Sequence, residues 1–160
     1  MHIGIDPGLA GAFAVLAPDG TLQALCDTPT LTLRTSRGTK QEYDVPGMCG
    51  LLQPYAGAGL HAMIESSQAL PHQGVTSTWT TGYGYGLWLG ILGALQIPYT
   101  PIRPVVWKKA FSLGKDKEAS RLRAQQLFPA ADLRLKKDHG RAEALLLAYH
   151  GWQMNAGERR

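Results

Sequence analysis

Cysteine is nearly absent: Cys26 and Cys49 are the two in 160 residues, with no CxxC and no paired spacing. That excludes a disulfide framework and points to reduced, buried thiols in a cytoplasmic protein. Long apolar runs are missing too, since the most apolar stretch, residues 87–95, is too short to span a bilayer. An acid at position 6 arrives too soon for the apolar segment of a signal peptide. Repeats, low-complexity tracts and linkers do not occur. A chain that is 44% hydrophobic and 18% charged is expected to form one compact domain over residues 1–154, with 155–160 as a short flexible tail.

What charge there is lies unevenly. The formal net charge is +4 and the sequence pI about 9.2. Residues 101–137 hold ten Lys or Arg against three acids, +7 in all, which leaves −3 for the remainder. A basic third on a mildly acidic domain suits a polyanion partner. The plainer alternative is a solvated helix face.

The pattern of elements reads as follows. Residues 2–6 and 10–16 form two strands joined by a turn at 6–8, and Pro18-Asp19-Gly20 turns the chain into a third strand at 21–26. Residues 29–42 alternate Thr and carry Arg34, Arg37 and Lys40, which suggests a strand with an exposed basic loop. A helix is expected over 45–55, a short buried strand (HAMIE) at 61–65, and a long helix over 78–95. A strand at 97–102, a helix start at 104–109 and basic or apolar helices over 117–127 and 141–154 complete an α/β domain with a mixed sheet. In the long helix Gly82, Gly86 and Gly90 recur at every fourth position. Glycine weakens helices, so such a ridge implies close approach of another helix, internal or across a dimer.

Four acids stand out by location, at three places in the pattern. Asp6 ends the first strand, Glu65 ends the central one, and Asp138 and Glu143 flank the start of the last helix. Asp is poor in strands and expensive to bury without a cationic partner, so Asp6 marks either a turn or a metal. Glu65 could pair with an arginine, and Asp138 could simply cap a helix. If the strands of Asp6 and Glu65 are neighbours, however, the two converge where α/β folds place their sites, and Glu143 joins them from the helix. Several carboxylates in one pocket need cations, and hard oxygen donors suit Mg²⁺ or Mn²⁺. Two such ions about 4 Å apart can clamp both oxygens of a phosphodiester displacement. Positions 138 and 143 lie about 140° apart on an ideal helix, so Asp138 can share a metal with Glu143 only from outside the helix. His139 is an alternative ligand.

Four segments in order carry a resemblance: IGIDPG, MIESSQALPHQGVTSTWTTGYGYGLWLGIL, RPVVWKKAFSLGKDKEASRLRAQQLFP and KKDHGRAEALLLA. The chain resembles the RuvC-type Holliday junction resolvases, above all the subset typified by monokaryotic chloroplast 1 and its bacterial and phage relatives. The resemblance implies an RNase H-like fold with a five-stranded mixed sheet, and a homodimer. It also implies paired symmetric nicking of four-way junction DNA with two Mg²⁺ or Mn²⁺ ions per active site. It places the family's acids on Asp6, Glu65, Asp138 and Glu143, and its active-site basic residue on Lys117, with Lys115 in reserve. The last two acids are spaced more widely than in many bacterial members. Residues 67–77, with Gln68, Leu70, Pro71, His72 and Gln73, would face the junction centre, without the paired Phe of some relatives. Phosphate contacts fall to Arg34, Arg37, Lys40, Lys108, Lys109, Lys115, Arg121 and Arg123. The glycine ridge becomes the dimer seam, with Trp79, Gly82, Tyr83, Gly86 and Gly90 in it and Trp88 as a further aromatic anchor.

Rival readings differ in kind. A two-domain sugar kinase or actin-type fold needs a much longer chain. A catalytically silent junction-binding protein has no use for four acids close to DNA. An RNase H-like nuclease acting on RNA or on other branched DNA would share the same chemistry.

Overall fold

Along β1 (His2–Asp6) successive side chains alternate between faces, which sets the layering. Ile3 and Ile5 enter one core with Phe13, Val15, Ile64, Trp88 and Leu92. Gly4 faces the other layer, where a Cβ would collide with the Ala144 carbonyl and the Ala148 backbone. That glycine lets the last helix lie directly on the strand. The computed structural model describes all residues except 37, 58, 69–73, 115 and 158–160, and of Lys117 the backbone alone.

The main sheet has the order β3-β2-β1-β6-β7, with β2 (Ala12–Leu16), β3 (Leu22–Asp27), β6 (His61–Glu65) and β7 (Tyr99–Ile102). β1–β2 and β2–β3 are antiparallel, whereas β1–β6 and β6–β7 are parallel. One face is covered by α1 (Val45–Leu52), which a 3₁₀ turn (Gln53–Tyr55) follows, and by α2 (Val75–Ala94). The other face is covered by α3 (Pro104–Ala110), α4 (Lys117–Leu127) and α5 (His139–Gly157). Its core joins Trp107, Phe111 and Leu133 to the buried run from Ala144 to Ala148. The expected mixed five-stranded α/β architecture is the one observed.

Several details differ from the sequence expectation. Residues 29–42 do not form one strand with a loop; β4 (Thr30–Thr35) and β5 (Gly38–Tyr43) make a separate hairpin. Gly38, at φ +121°, supplies the left-handed backbone at its turn. α2 starts three residues earlier than expected. α5 extends past Met154 to Gly157, and Asn155 Nδ2 lies 3.3 Å from His2 Nδ1, so 155–157 belong to the helix and not to a tail. Cys26 and Cys49 are free thiols, half-buried rather than buried. Among the described residues no helix is long and apolar enough to cross a membrane.

Candidate active site

Parallel pairing of β1 and β6 puts Ile5 opposite Ile64, so both strands finish side by side on an acid, Asp6 and Glu65. α5 crosses beneath them and brings up Glu143, which is 6% exposed. Its N-terminus seats against the β1–β2 turn at Gly140, where a side chain would strike the Ala10 carbonyl. The three acids meet at the carboxyl ends of the parallel strands, where open α/β sheets form sites.

Their electrostatics confirm the proximity. The Glu65 carboxyl is pushed up to about 7 from 4.5, first by burial and then by the charges of Asp6 and Glu143. The Trp107 N–H and the Lys108 ammonium pull it partly back. Tyr43, whose hydroxyl donates to the Pro7 carbonyl at 3.2 Å, is pushed up to about 12 by burial and then by Asp6. Asp6 Oδ1 also accepts the Gly8 amide at 3.3 Å, so the turn and the site share this residue.

α3 completes the pocket in a way the sequence did not signal. It starts two residues beyond the end of β7, and consecutive side chains on it each hold one acid. Trp107 Nε1 donates to Glu65 Oε2 at 2.8 Å. Lys108 Nζ lies 2.7 Å from Glu143 Oε1, with side chains 16% and 8% exposed, and 5.1 Å from the Trp107 ring centre. Lys108, expected to touch DNA phosphate, is therefore an interior partner of the acid cluster. Its partner stands 35 positions away in the chain, beyond the reach of any local pattern.

The fourth acid has a local partner. Asp138 lies in a 3₁₀ turn (Lys136–Asp138), where its Oδ2 accepts the Leu135 amide at 2.7 Å beside Arg121 and Arg141. It is outside the helix, as sharing a metal requires, yet it does the work of a cap. His139 is half-buried in the next position, with Nδ1 3.3 Å from the Lys136 carbonyl. Among the described residues no three His, Cys, Asp or Glu side chains are arranged so that they could hold a metal ion. Trp107 holds Glu65 and Lys108 holds Glu143.

The remaining expected residues divide. Arg34, Lys40, Gln68 and Lys109 are exposed, and Lys40 pairs with Glu42 at 2.8 Å. Arg121 is not available to phosphate: it binds Glu118 and donates to the Leu133 carbonyl, bracing α4 against the following loop. Arg37, Leu70, Pro71, His72, Gln73 and Lys115 lie outside the described residues, as does the Lys117 side chain, whose backbone opens α4. On α2, Trp79 (71% exposed) and Tyr83 (48%) stack with ring centres 6.1 Å apart. They line a cleft of about 590 Å³ against the β4–β5 hairpin. A Cβ at Gly82, Gly86 or Gly90 would meet nothing within 4 Å among the described residues. Trp88, in contrast, is fully buried in the core and cannot anchor an interface.

No family model matches the chain. Over 103 residues it is 38% identical to a protein of Chlamydomonas reinhardtii named Holliday junction resolvase MOC1, chloroplastic. That match covers 61% of this chain and 11% of the relative, so the chain spans about a tenth of its length. Among solved structures, T. thermophilus RuvC in complex with Holliday junction substrate superposes with a TM-score of 0.57 at 17% identity, covering 97% of this chain and 95% of that one. A second Thermus thermophilus RuvC structure gives 0.55 at 17% identity with the same coverage. The fold is thus RuvC-like, of the RNase H type.

Proposed function

We propose that this chain is a metal-dependent endodeoxyribonuclease that resolves four-way DNA junctions by paired, symmetric nicks. The observation that carries the reading is the convergence of Asp6, Glu65 and Glu143, with Glu65 driven to about 7 by burial and then by the charges of the other two. Among the described residues, Asp6 and Glu143 both act on Glu65 through their charges, and the Lys108 ammonium sits against Glu143.

The donor set fits divalent cations. Its donors are hard carboxylate oxygens, mutually repelling and largely buried, and a cation already sits among them as the Lys108 ammonium. Asp6, Glu65 and Glu143 would hold Mg²⁺ or Mn²⁺, two per site, once Lys108 releases Glu143. Bound there, the ions supply an activated water and compensate charge on the leaving oxygen. Lys108, freed, and Lys117 at the start of α4 would offset charge on the scissile phosphate. Arg34, Lys40, Gln68 and Lys109 would contact the backbone and position the junction.

Two nicks on a two-fold substrate call for two sites related by a two-fold axis. The exposed side of α2, with Trp79, Gly82, Tyr83, Gly86 and Gly90, would form that interface. Such a protein acts wherever recombining DNA is found, in a bacterial or phage-infected cytoplasm or an organelle. Within this reading residues 1–157 act as one nuclease domain.

The test is cleavage of an end-labelled four-way junction in Mn²⁺, run beside a flap, a fork and an RNA/DNA hybrid. Paired nicks at symmetric positions are expected on the junction, abolished in Asp6→Asn while junction binding persists. Equal cutting of the flap or hybrid would replace the junction as substrate. Full activity of Asp6→Asn would remove the acids from the chemistry.

A further inference from the structure

Two neighbouring residues of α3 each hold one of the converging acids, and they differ in kind. Lys108 is charged, partly exposed and bound to Glu143. Trp107 is neutral and fully buried, and it reaches Glu65 across 42 positions of sequence. An indole N–H donates and never accepts, so its partner must offer a lone pair, which a carboxylate oxygen does. Being uncharged, it holds an acid without repelling an incoming cation, as an ammonium would.

The ring itself is locked. Trp107 packs in the core of the α3–α5 side, edge to face with Phe111 at 6.4 Å between centres. Pro104 sets the first turn of α3. The amide of Ser66, next to Glu65, donates to the Ile102 carbonyl at 2.8 Å and ties the end of β6 to the end of β7. Helix and acid are thereby joined to one frame. Ordinary core packing of a tryptophan does not require its N–H to end on the one acid of the neighbouring strand.

We propose that Trp107 is a positioning residue for the metal-binding carboxylates: its indole N–H fixes Glu65 through Oε2 and leaves the second oxygen to the divalent cation. This rests on the nuclease reading above. It goes beyond that reading by assigning a task to a side chain that touches neither DNA nor metal. Groups that orient a ligand from behind typically cost 10–100-fold in metal affinity or activity when removed.

The experiment removes the N–H and keeps the ring. Trp107→Phe retains an aromatic against Phe111. Replacement of Trp107 by 3-benzothienylalanine retains the bicyclic shape and deletes the donor alone. Mn²⁺ affinity is measured by calorimetry without DNA, junction affinity by fluorescence anisotropy in Ca²⁺, and kcat and KM by single-junction cleavage. Expected are a loss of about tenfold or more in Mn²⁺ affinity and in kcat, with KM and junction affinity unchanged. In the wild-type protein, saturating Mg²⁺ should also shift the Trp107 indole ¹H–¹⁵N resonance, a readout that needs no variant to fold. Mn²⁺ affinity and kcat within twofold of wild type in the benzothienyl protein, or an indole resonance unmoved by Mg²⁺, would overturn the assignment. A wild-type protein that neither binds Mn²⁺ nor cuts would instead bring down the nuclease reading on which it stands.

Discussion

Glu65→Gln should make the protein more stable, by a margin that opens above pH 4.5 and reaches its full size above pH 7. In the folded chain the Glu65 carboxyl sits at about 7, raised from 4.5 by burial and by the Asp6 and Glu143 charges. Below 4.5 the proton is bound in folded and unfolded chains alike, and this group costs nothing. Between 4.5 and 7 the unfolded chain releases the proton while the folded chain keeps it, so stability falls as pH rises. Above 7 both are ionised and the full cost is present. At ~1.4 kcal/mol per pH unit the cost is about 3 kcal/mol. Glutamine keeps an acceptor for the Trp107 N–H and carries no charge. In EDTA at pH 8 the variant should therefore melt about 6–12 °C above wild type, the range that ~3 kcal/mol gives for a chain of this length. The gap should close by pH 4.5. Mg²⁺ at pH 8 should raise the wild-type Tm and leave the variant nearly unchanged. Differential scanning calorimetry from pH 4.5 to 9 is the assay. A Tm difference constant across that range would refute the reasoning, because it would mean that neither burial nor the neighbouring charges raise the Glu65 carboxyl.

Lys108→Met should lower stability by about 3–5 kcal/mol in EDTA, since it strands Glu143 without its partner, and Mn²⁺ should return most of the loss in urea titrations. Gly4→Ala should cost on the order of 1–3 kcal/mol or more, read as a lower urea midpoint, because its methyl would enter the α5 backbone. A Cβ at Gly86 meets nothing within 4 Å among the described residues, so in Gly86→Leu the fold should persist while sedimentation velocity reports monomers; an intact dimer would move the proposed interface off α2.

Much of the fold could be read from local chemistry. Strand β6 was expected at its observed bounds, because HAMIE places a short apolar run between polar flanks. Helix α4 was too, since Asp116 caps it and Pro129 follows its end. The hairpin was missed because residues 30–43 pair with themselves, and alternation marks a strand without naming its partner. The site was half legible. An acid at the end of each of two apolar strands is a feature of the sequence, and so is Glu143 near the start of an apolar helix. Asp138 looked equivalent to these in sequence, but the 3₁₀ turn before α5 uses its carboxylate for the Leu135 amide.

The sequence by itself determined most of the strands and helices, where the acids sit at their ends, and that the ridge of Gly82, Gly86 and Gly90 would need an explanation. These follow from period, capping and propensity, all of which act within a few residues. Tertiary structure alone decided that β1 and β6 lie side by side, that Trp107 and Lys108 reach the acids, and that Trp88 turns inward while Trp79 turns out. Those outcomes depend on which surfaces bury one another across 35 to 60 positions, and on charges that interact through space and not along the chain.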